Sequence, residues 1–356
     1  MTQMYTREIL SQPKSFVKKG KPVFGTFAGH PQRLDIRGVS RPYMNFPMPV
    51  VFTNLRIKSR LSFYFSLGEY IGQVSFYDAK VFGFAEVVFW NTQTKQKYVY
   101  KSLMGPRKRF VPHSLEKAAT SSFKSKRYIR ISYDRSKSRL SLVFKLRGDS
   151  VRPGATAALF ADFNNDAEIT SVLPSPVMRR CSARYNASFR LHGTLTLNYK
   201  DGTVKTCGDV PGVSYFDMNR TYMKFRSHGK FITAFGTVNE KPLAFRIATI
   251  SQDAVDAEKY NGNVLFYNGT VTPLPPVVIT HPYGINETWV IQDTENMVDL
   301  SFTPFSDNIN KVSIFILRTA YHTICGKLEG TLLTSTGEKV SFKSLAGIAQ
   351  AYSIRL

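Results

Sequence analysis

From Asn54 to Phe65 the chain alternates polar and apolar residues (NLRIKSRLSFYF), the period-two signature of a half-buried strand. Tyr70–Asp78 and Phe82–Trp90 continue the meander, and Thr92–Lys95 reads as a turn into Lys97–Lys101. Arg127–Tyr133 and Arg139–Leu146 carry apolar residues at every second position on either side of Asp134–Ser138, which predicts a hairpin. Pro153-Gly154 and Pro174-Ser175-Pro176 interrupt the pattern, which then restarts. Ala187–Tyr199 and Thr203–Thr206 flank Lys200-Asp201-Gly202, and Asp-Gly is a favoured hairpin turn. Three more strand pairs follow: Lys230–Val238 with Leu243–Ser251, Asn263–Tyr267 with Val271–Leu274, and Ile324–Ser335 with Glu338–Phe342. Residues 1–50, broken by six prolines from Pro13 to Pro49, predict an irregular segment that wraps over a barrel or closes its end. Helical patterning is confined to 112–121 and Asp253–Tyr260.

Many short strands with regular turn signals define an all-β protein, a sandwich or an up-and-down barrel. Composition agrees, with 27 Phe and 18 Tyr among the strand formers. A length of 356 residues favours two domains. The punctuation divides the chain into an irregular segment (1–50), a first barrel (51–175) and a second (176–356). Antiparallel barrels of about eight strands can enclose one small ligand.

Charge adds an asymmetry. The net charge is +23, and residues 1–230 hold 39 Lys and Arg against 14 Asp and Glu, while residues 231–356 hold 9 against 11. Such a basic half fits either an anionic surface or nucleic acid, through Arg107-Lys108-Arg109 and Lys124–Arg139 with Tyr128 and Tyr133 interleaved, or a solvated basic face. No run of 18 apolar residues and no secretory leader is visible, so the expectation is a cytoplasmic protein that is not integral to a membrane. Cys181, Cys207 and Cys325 lack C-x-x-C spacing, and the six histidines show no metal-binding spacing, so neither metal nor cofactor is expected. Nucleotide-binding glycine loops and the G-x-S-x-G elbow are also absent.

Several motifs resemble a largely bacterial family known only as a domain of unknown function. They are Phe216-Asp217-Met218-Asn219-Arg220, Ala234-Phe235-Gly236, Asn261-Gly262-Asn263 with the following Val264–Gly269, Leu300–Pro304 and Tyr321–Gly330. Arg56-Ile57-Lys58 with Phe63 and Tyr64 resembles that family's first-half landmark. The resemblance implies two tandem lipocalin-like antiparallel β-barrels with few short helices, similar in fold to carotenoid hydratase (hydroxyneurosporene synthase) and tocopherol cyclase. In those relatives a carboxyl group protonates an alkene and aromatic faces stabilise the cation. This chain departs from the pattern. The family's Asp-Trp-Gly-Arg reads Asp217-Met218-Asn219-Arg220, its paired tryptophans are replaced around Phe231 and Phe235, and two positions usually acidic are Gly262 and Gln350. Lost carboxylates and tryptophans weaken an enzyme reading more than a binding one.

The candidate site residues follow from that resemblance. Asp217 and Arg220 form either a charge pair in a pocket wall, with Asp217 as an acid, or a structural ion pair. His322 either contacts a ligand or shuttles a proton, or is a satisfied core histidine. Phe231, Phe235 and Asn263 are expected to line the pocket, with Tyr185 on a strand of the second barrel and Lys58 meeting an acidic headgroup or standing solvated. The leading function is binding of an apolar or amphipathic molecule, a lipid or isoprenoid, in a barrel cavity. The alternatives are a hydratase- or cyclase-like enzyme on the same fold and the basic-surface reading.

Overall fold

The computed structural model describes residues 5–44, 48–80, 82–105, 110–163, 167–175, 177–208, 210–249, 256–314 and 317–355. The protein is all-β, with a nearly closed barrel-shaped sheet and a second sheet that forms a half-barrel. The barrel runs through two antiparallel meanders. One comprises Ile57–Leu67, Tyr70–Asp78, Gly83–Asn91 and Lys97–Met104. The other comprises Lys117–Lys124, Arg127–Asp134, Arg139–Leu146 and Gly154–Asp162.

Two strands join the meanders. Val177–Asn198 pairs with Gly154–Asp162 along one part and with Glu168–Ser175 along another, and Gly212–Tyr222 bridges it to Ile57–Leu67. The chain leaves the first sheet after Tyr222 and enters the second at Arg226. Val177–Asn198, Val204–Cys207 and Gly212–Tyr222, expected in the second barrel, are therefore strands of the first sheet. Pro174 marks only the irregular register between Pro174 and Ser175, because backbone pairing and not proline punctuation decides sheet membership.

The second sheet orders its main strands as Lys241–Ala248, Arg226–Val238, Lys339–Arg355, Leu317–Leu333 and Val298–Ile314. Short edge strands flank both sides, among them Val264–Tyr267 and Trp289–Gln292. Each sheet carries a long strand bent at a glycine with positive φ. A Cβ on Gly193 (φ 130°) would sit 2.1 Å from the Ala158 carbonyl oxygen, and one on Gly330 (φ 133°) 2.1 Å from that of Asp299. Only glycine allows this approach of backbone to backbone.

Among the described residues the one α-helix is Val50–Leu55, at the junction of the irregular segment with the first barrel and running into the strand expected from Asn54. Residues 117–121 are strand instead of helix, and 253–255 lie outside the described residues. The N-terminal segment touches both sheets. Leu34, Ile36 and Val39 sit in the barrel core, while Arg7 donates to the carbonyls of Asn263 (3.0 Å) and Leu274 (3.4 Å) beside the second sheet.

Aromatic side chains pack inside the barrel. Phe63, Phe65, Phe89, Tyr100 and Phe144 are buried there, and Phe89 stacks on Tyr98 (4.9 Å), Tyr100 (6.3 Å) and Phe144 (6.4 Å). A third apolar cluster (Tyr64, Trp90, Tyr215, Phe235, Phe266, Cys325 and Ile348 among its members) lies between the two sheets. Trp90 closes part of this seam by donating its indole N–H to Ser306 Oγ at 3.0 Å.

A candidate site in the seam between the sheets

Strand periodicity decides what the seam receives. Along Gly212–Tyr222, Phe216, Met218 and Tyr222 face the barrel core, while Val213 and Tyr215 face the second sheet. Asp217 shares the face of Tyr215, and Arg220 that of Met218. The two motif residues thus point to opposite sides of the strand and do not pair, because a spacing of three inverts the face.

Asp217 is buried, at 3% exposure, and ion-paired to Arg184 (Nη1–Oδ2 2.9 Å); its Oδ1 accepts from Asn186 Nδ2 at 3.3 Å. Both oxygens are occupied as acceptors. That suits an orienting counter-charge. Arg60 approaches the same seam. It donates to the Tyr321 hydroxyl and lies over that ring, 5.2 Å from the centroid. Tyr321 donates to Gln350 Oε1 (2.7 Å), and Gln350 Nε2 donates to Gln73 Oε1 (2.7 Å). Glu86 extends the polar seam by accepting from Asn308 (3.1 Å) and Asn310 (3.2 Å).

One guanidinium in the seam is different. Arg246 is 5% exposed, rests on the face of Phe231 (4.5 Å to the centroid), and its Nε has no hydrogen-bond partner. Burial first, and then the like charge of Arg184, push its pKa down to about 10, with Asp217 pulling the other way. Two more buried polar atoms in the seam lack partners, the Tyr215 hydroxyl and Thr233 Oγ1, and Thr233 stands directly across the strand pair from Arg246. Burial raises the pKa of the Tyr215 phenol well above its ordinary value, followed by the charge of Asp217, so it stays a neutral donor. At one end of the seam a cavity of about 300 Å³ is lined from both sheets, by Ala167, Phe189, Pro242 and Phe266 among others. Phe266 lies against Tyr215, with ring centroids 6.0 Å apart.

The other expected residues divide. Phe231 and Phe235 face the seam, with Phe235 5.7 Å from Tyr64. Tyr185 is inside the first barrel, where its hydroxyl accepts from Arg135 (2.8 Å). Asn263 is a clamp: Oδ1 accepts from the Ala248 N–H (2.9 Å) and Nδ2 donates to the Pro275 carbonyl (2.8 Å). His322 lies on the inner face of the half-barrel, opposite to its neighbour Tyr321, and bonds Asp307 through Nδ1 at 2.7 Å. It shares no site with Asp217. Lys58 donates to the Ala79 carbonyl at 2.6 Å, and burial, followed by Arg56, lowers its pKa to about 8. It belongs to the barrel end and not to the seam cluster.

Arg107-Lys108-Arg109 lie outside the described residues. Tyr133, expected on a basic surface, is buried in the barrel core, so only Tyr128 of the two tyrosines shares the outer face with Arg130. Among the described residues no group of three His, Cys, Asp or Glu side chains is placed to hold a metal ion, and no helix is long and apolar enough to cross a membrane.

At the barrel end Arg220 is 1% exposed and donates to Ser59 Oγ (2.8 Å) and to the carbonyls of Val111 (3.0 Å) and Pro112 (2.7 Å). His113 is nearby. Burial first, then the charge of Arg220, push its pKa down to about 4, with Arg37 and Lys80 acting in the same direction and Asp35 against it. Below pH 6.5 an unfolded chain takes up a proton that folded His113 refuses until about pH 4, so this residue costs stability as pH falls through that window. His113→Gln is expected to flatten the fall of the urea midpoint between pH 6.5 and 4. Parallel curves for variant and wild type would refute it.

The fold and seam define a class: a two-sheet β-protein in which a nearly closed barrel and a half-barrel enclose a cationic polar cluster between them. The chain belongs to the family described as a domain of unknown function, DUF2804, whose model matches residues 9–355. No curated protein matches the sequence. Among solved structures, a candidate AttH from Nitrosomonas europaea is similar at 9% identity and TM-score 0.51, covering 86% of this chain and 96% of its own. CghA, solved with Sch210972, is similar at 12% identity and TM-score 0.48, with 97% and 98% covered. Kievitone hydratase from Nectria haematococca is similar at 10% identity and TM-score 0.48, with 84% and 88% covered. The AttH likeness is one of fold alone.

Proposed function

We propose that this protein binds an amphipathic small molecule with an acidic end in the seam between its sheets. The acidic group sits on Arg246, and the apolar part lies against Phe231, Phe235 and Phe266. The observation that carries this reading is the buried Arg246 guanidinium, whose Nε has no partner within the chain. A buried guanidinium N–H without a hydrogen-bond partner is costly, and an acidic ligand group would supply that partner. Asp217 is not a hydrogen-bond partner of Arg246 Nε, its bonds going to Arg184 and Asn186. Arg60, Arg184 and Arg246 face this one acid, which leaves the cluster two positive charges in excess. The site lies between the sheets, whereas the sequence points to a barrel cavity.

Solvent extraction of purified protein is expected to release an acidic lipid or isoprenoid, and the protein is expected to take up a fluorescent fatty acid. Arg246→Met should weaken that uptake by at least about tenfold, as expected for loss of a charge-assisted hydrogen bond. Since Arg246 serves no internal hydrogen bond at Nε, the same variant should unfold at an unchanged or higher urea concentration. Clean extractions with no fatty-acid uptake, or full uptake by Arg246→Met, would sink the reading.

A further inference from the structure

The barrel end carries a second polar cavity, separate from the seam. It measures about 250 Å³ and is lined by Asp35, Arg37, Asn54, Lys80, His113 and Arg220, with Ile57 at its side. Three of these residues bring a buried polar atom without a hydrogen-bond partner: Arg220 Nε, His113 Nδ1 and Asn54 Oδ1. The cavity's charges are unequally matched. Arg37 forks onto Asp35, with Nε 3.0 Å from both carboxylate oxygens, and Lys80 pairs with Asp78 at 2.8 Å. Arg220 has only neutral acceptors, a serine hydroxyl and two carbonyls. Asp35 comes no nearer to His113 Nδ1 than 3.6 Å, beyond hydrogen-bond distance. The cavity therefore offers one uncompensated positive charge and an unused N–H donor, with unused acceptors close by.

We propose that this cavity binds a phosphate group that carries a proton, as inorganic hydrogen phosphate or as the end of a phosphomonoester. One phosphate oxygen accepts from Arg220 Nε. The phosphate hydroxyl donates to Asn54 Oδ1, beside the His113 ring. Buried groups with no partner are rare in folded proteins, and one ligand of this kind satisfies the Arg220 donor and the Asn54 acceptor together. A fully ionised oxyanion such as sulfate has no hydrogen to give and would leave the Asn54 acceptor unpaired inside the cavity. The volume accommodates a phosphate with its first waters. A neighbouring concavity that shares Arg37 and His113 and adds Arg33 and Lys117 connects this end to a basic rim, which raises the local anion concentration.

Calorimetric titration of the full chain at pH 5.5, where phosphate and phosphomonoesters both carry a proton, with inorganic phosphate, sulfate and glycerol 3-phosphate tests the site. Phosphate is expected to bind at millimolar concentration or below and to shift the His113 ring signals, with sulfate weaker by about tenfold or more. Tighter binding of glycerol 3-phosphate would assign the site to a phosphomonoester, and tighter binding of inorganic phosphate to the free ion. Asn54→Leu should abolish the preference for phosphate over sulfate while its urea midpoint shows the fold retained, and Arg246→Met should leave phosphate binding unchanged. Equal affinity for sulfate and phosphate, or no heat and unmoved His113 signals at millimolar phosphate, would overturn the proposal. So would a folded Asn54→Leu that keeps the preference.

Discussion

Glu168→Ala is expected to destabilise the fold by about 3–5 kcal/mol, the usual cost of leaving a buried charge without its partner. The Glu168 side chain is fully buried and receives Arg135 in a two-pronged pair, Nη1–Oε1 2.9 Å and Nη2–Oε2 3.0 Å. His30 Nδ1 lies 3.0 Å from the same Oε2, and the backbone carbonyl of Glu168 accepts from the Gly29 N–H. Arg135 itself also donates to Tyr185 and to the Leu115 carbonyl and covers the Phe163 ring at 4.1 Å. One carboxylate thus holds the N-terminal segment, the turn after Arg127–Asp134 and the strand that receives both. Removing it strands the guanidinium among apolar neighbours. Urea unfolding should show a lower midpoint with an unchanged slope. The exposed pair Lys241–Glu338, 3.4 Å apart, is the control, and Glu338→Ala should cost less than about 1 kcal/mol. Equal losses in the two variants would remove Glu168 from this role.

Local structure was legible wherever turn chemistry and alternation agreed. The Arg127–Asp134 and Arg139–Leu146 hairpin has the register its apolar positions require, with Ile129 opposite Phe144 and Ile131 opposite Leu142. Asn268-Gly269 turns with positive φ at both residues (49° and 83°), as a tight hairpin needs. Long-range pairing was not legible. Nothing local to Val177–Asn198 says that one strand of 22 residues serves four neighbours, so Pro174 was a reasonable but misplaced divider. The site was half visible. Period two along Gly212–Tyr222 already places Asp217 and Arg220 on opposite faces, a reading available without coordinates. Arg60, Arg184 and Arg246 carried one overlooked signal, an arginine in the middle of a largely apolar strand, such as Leu243-Ala244-Phe245-Arg246-Ile247-Ala248. What no sequence pattern reveals is that strands from both sheets bring these three cations to one seam.

That convergence makes Asp217 the residue whose removal distinguishes counter-charge from catalyst. Asp217→Ala leaves Arg60, Arg184 and Arg246 together without an acid among them, and the expected loss is about 3–5 kcal/mol. Removing both members of the pair, as Asp217→Leu with Arg184→Met, should recover most of that loss, because an apolar pair of similar volume replaces a buried ion pair at little net cost. A residue that acts as an acid predicts something else: a stable Asp217→Asn protein with unchanged ligand uptake and no turnover of whatever is bound. The seam reading goes further, because a ligand that binds only the folded state stabilises it according to its concentration and affinity. An acidic ligand supplies the negative charge that Asp217→Ala has removed. A saturating fluorescent fatty acid is therefore expected to raise the Tm of Asp217→Ala by more than it raises that of wild type. In Arg246→Met the rise should vanish. Rescue of equal size in wild type and Asp217→Ala would separate Asp217 from the ligand's acidic end and leave it a structural partner of Arg184 alone.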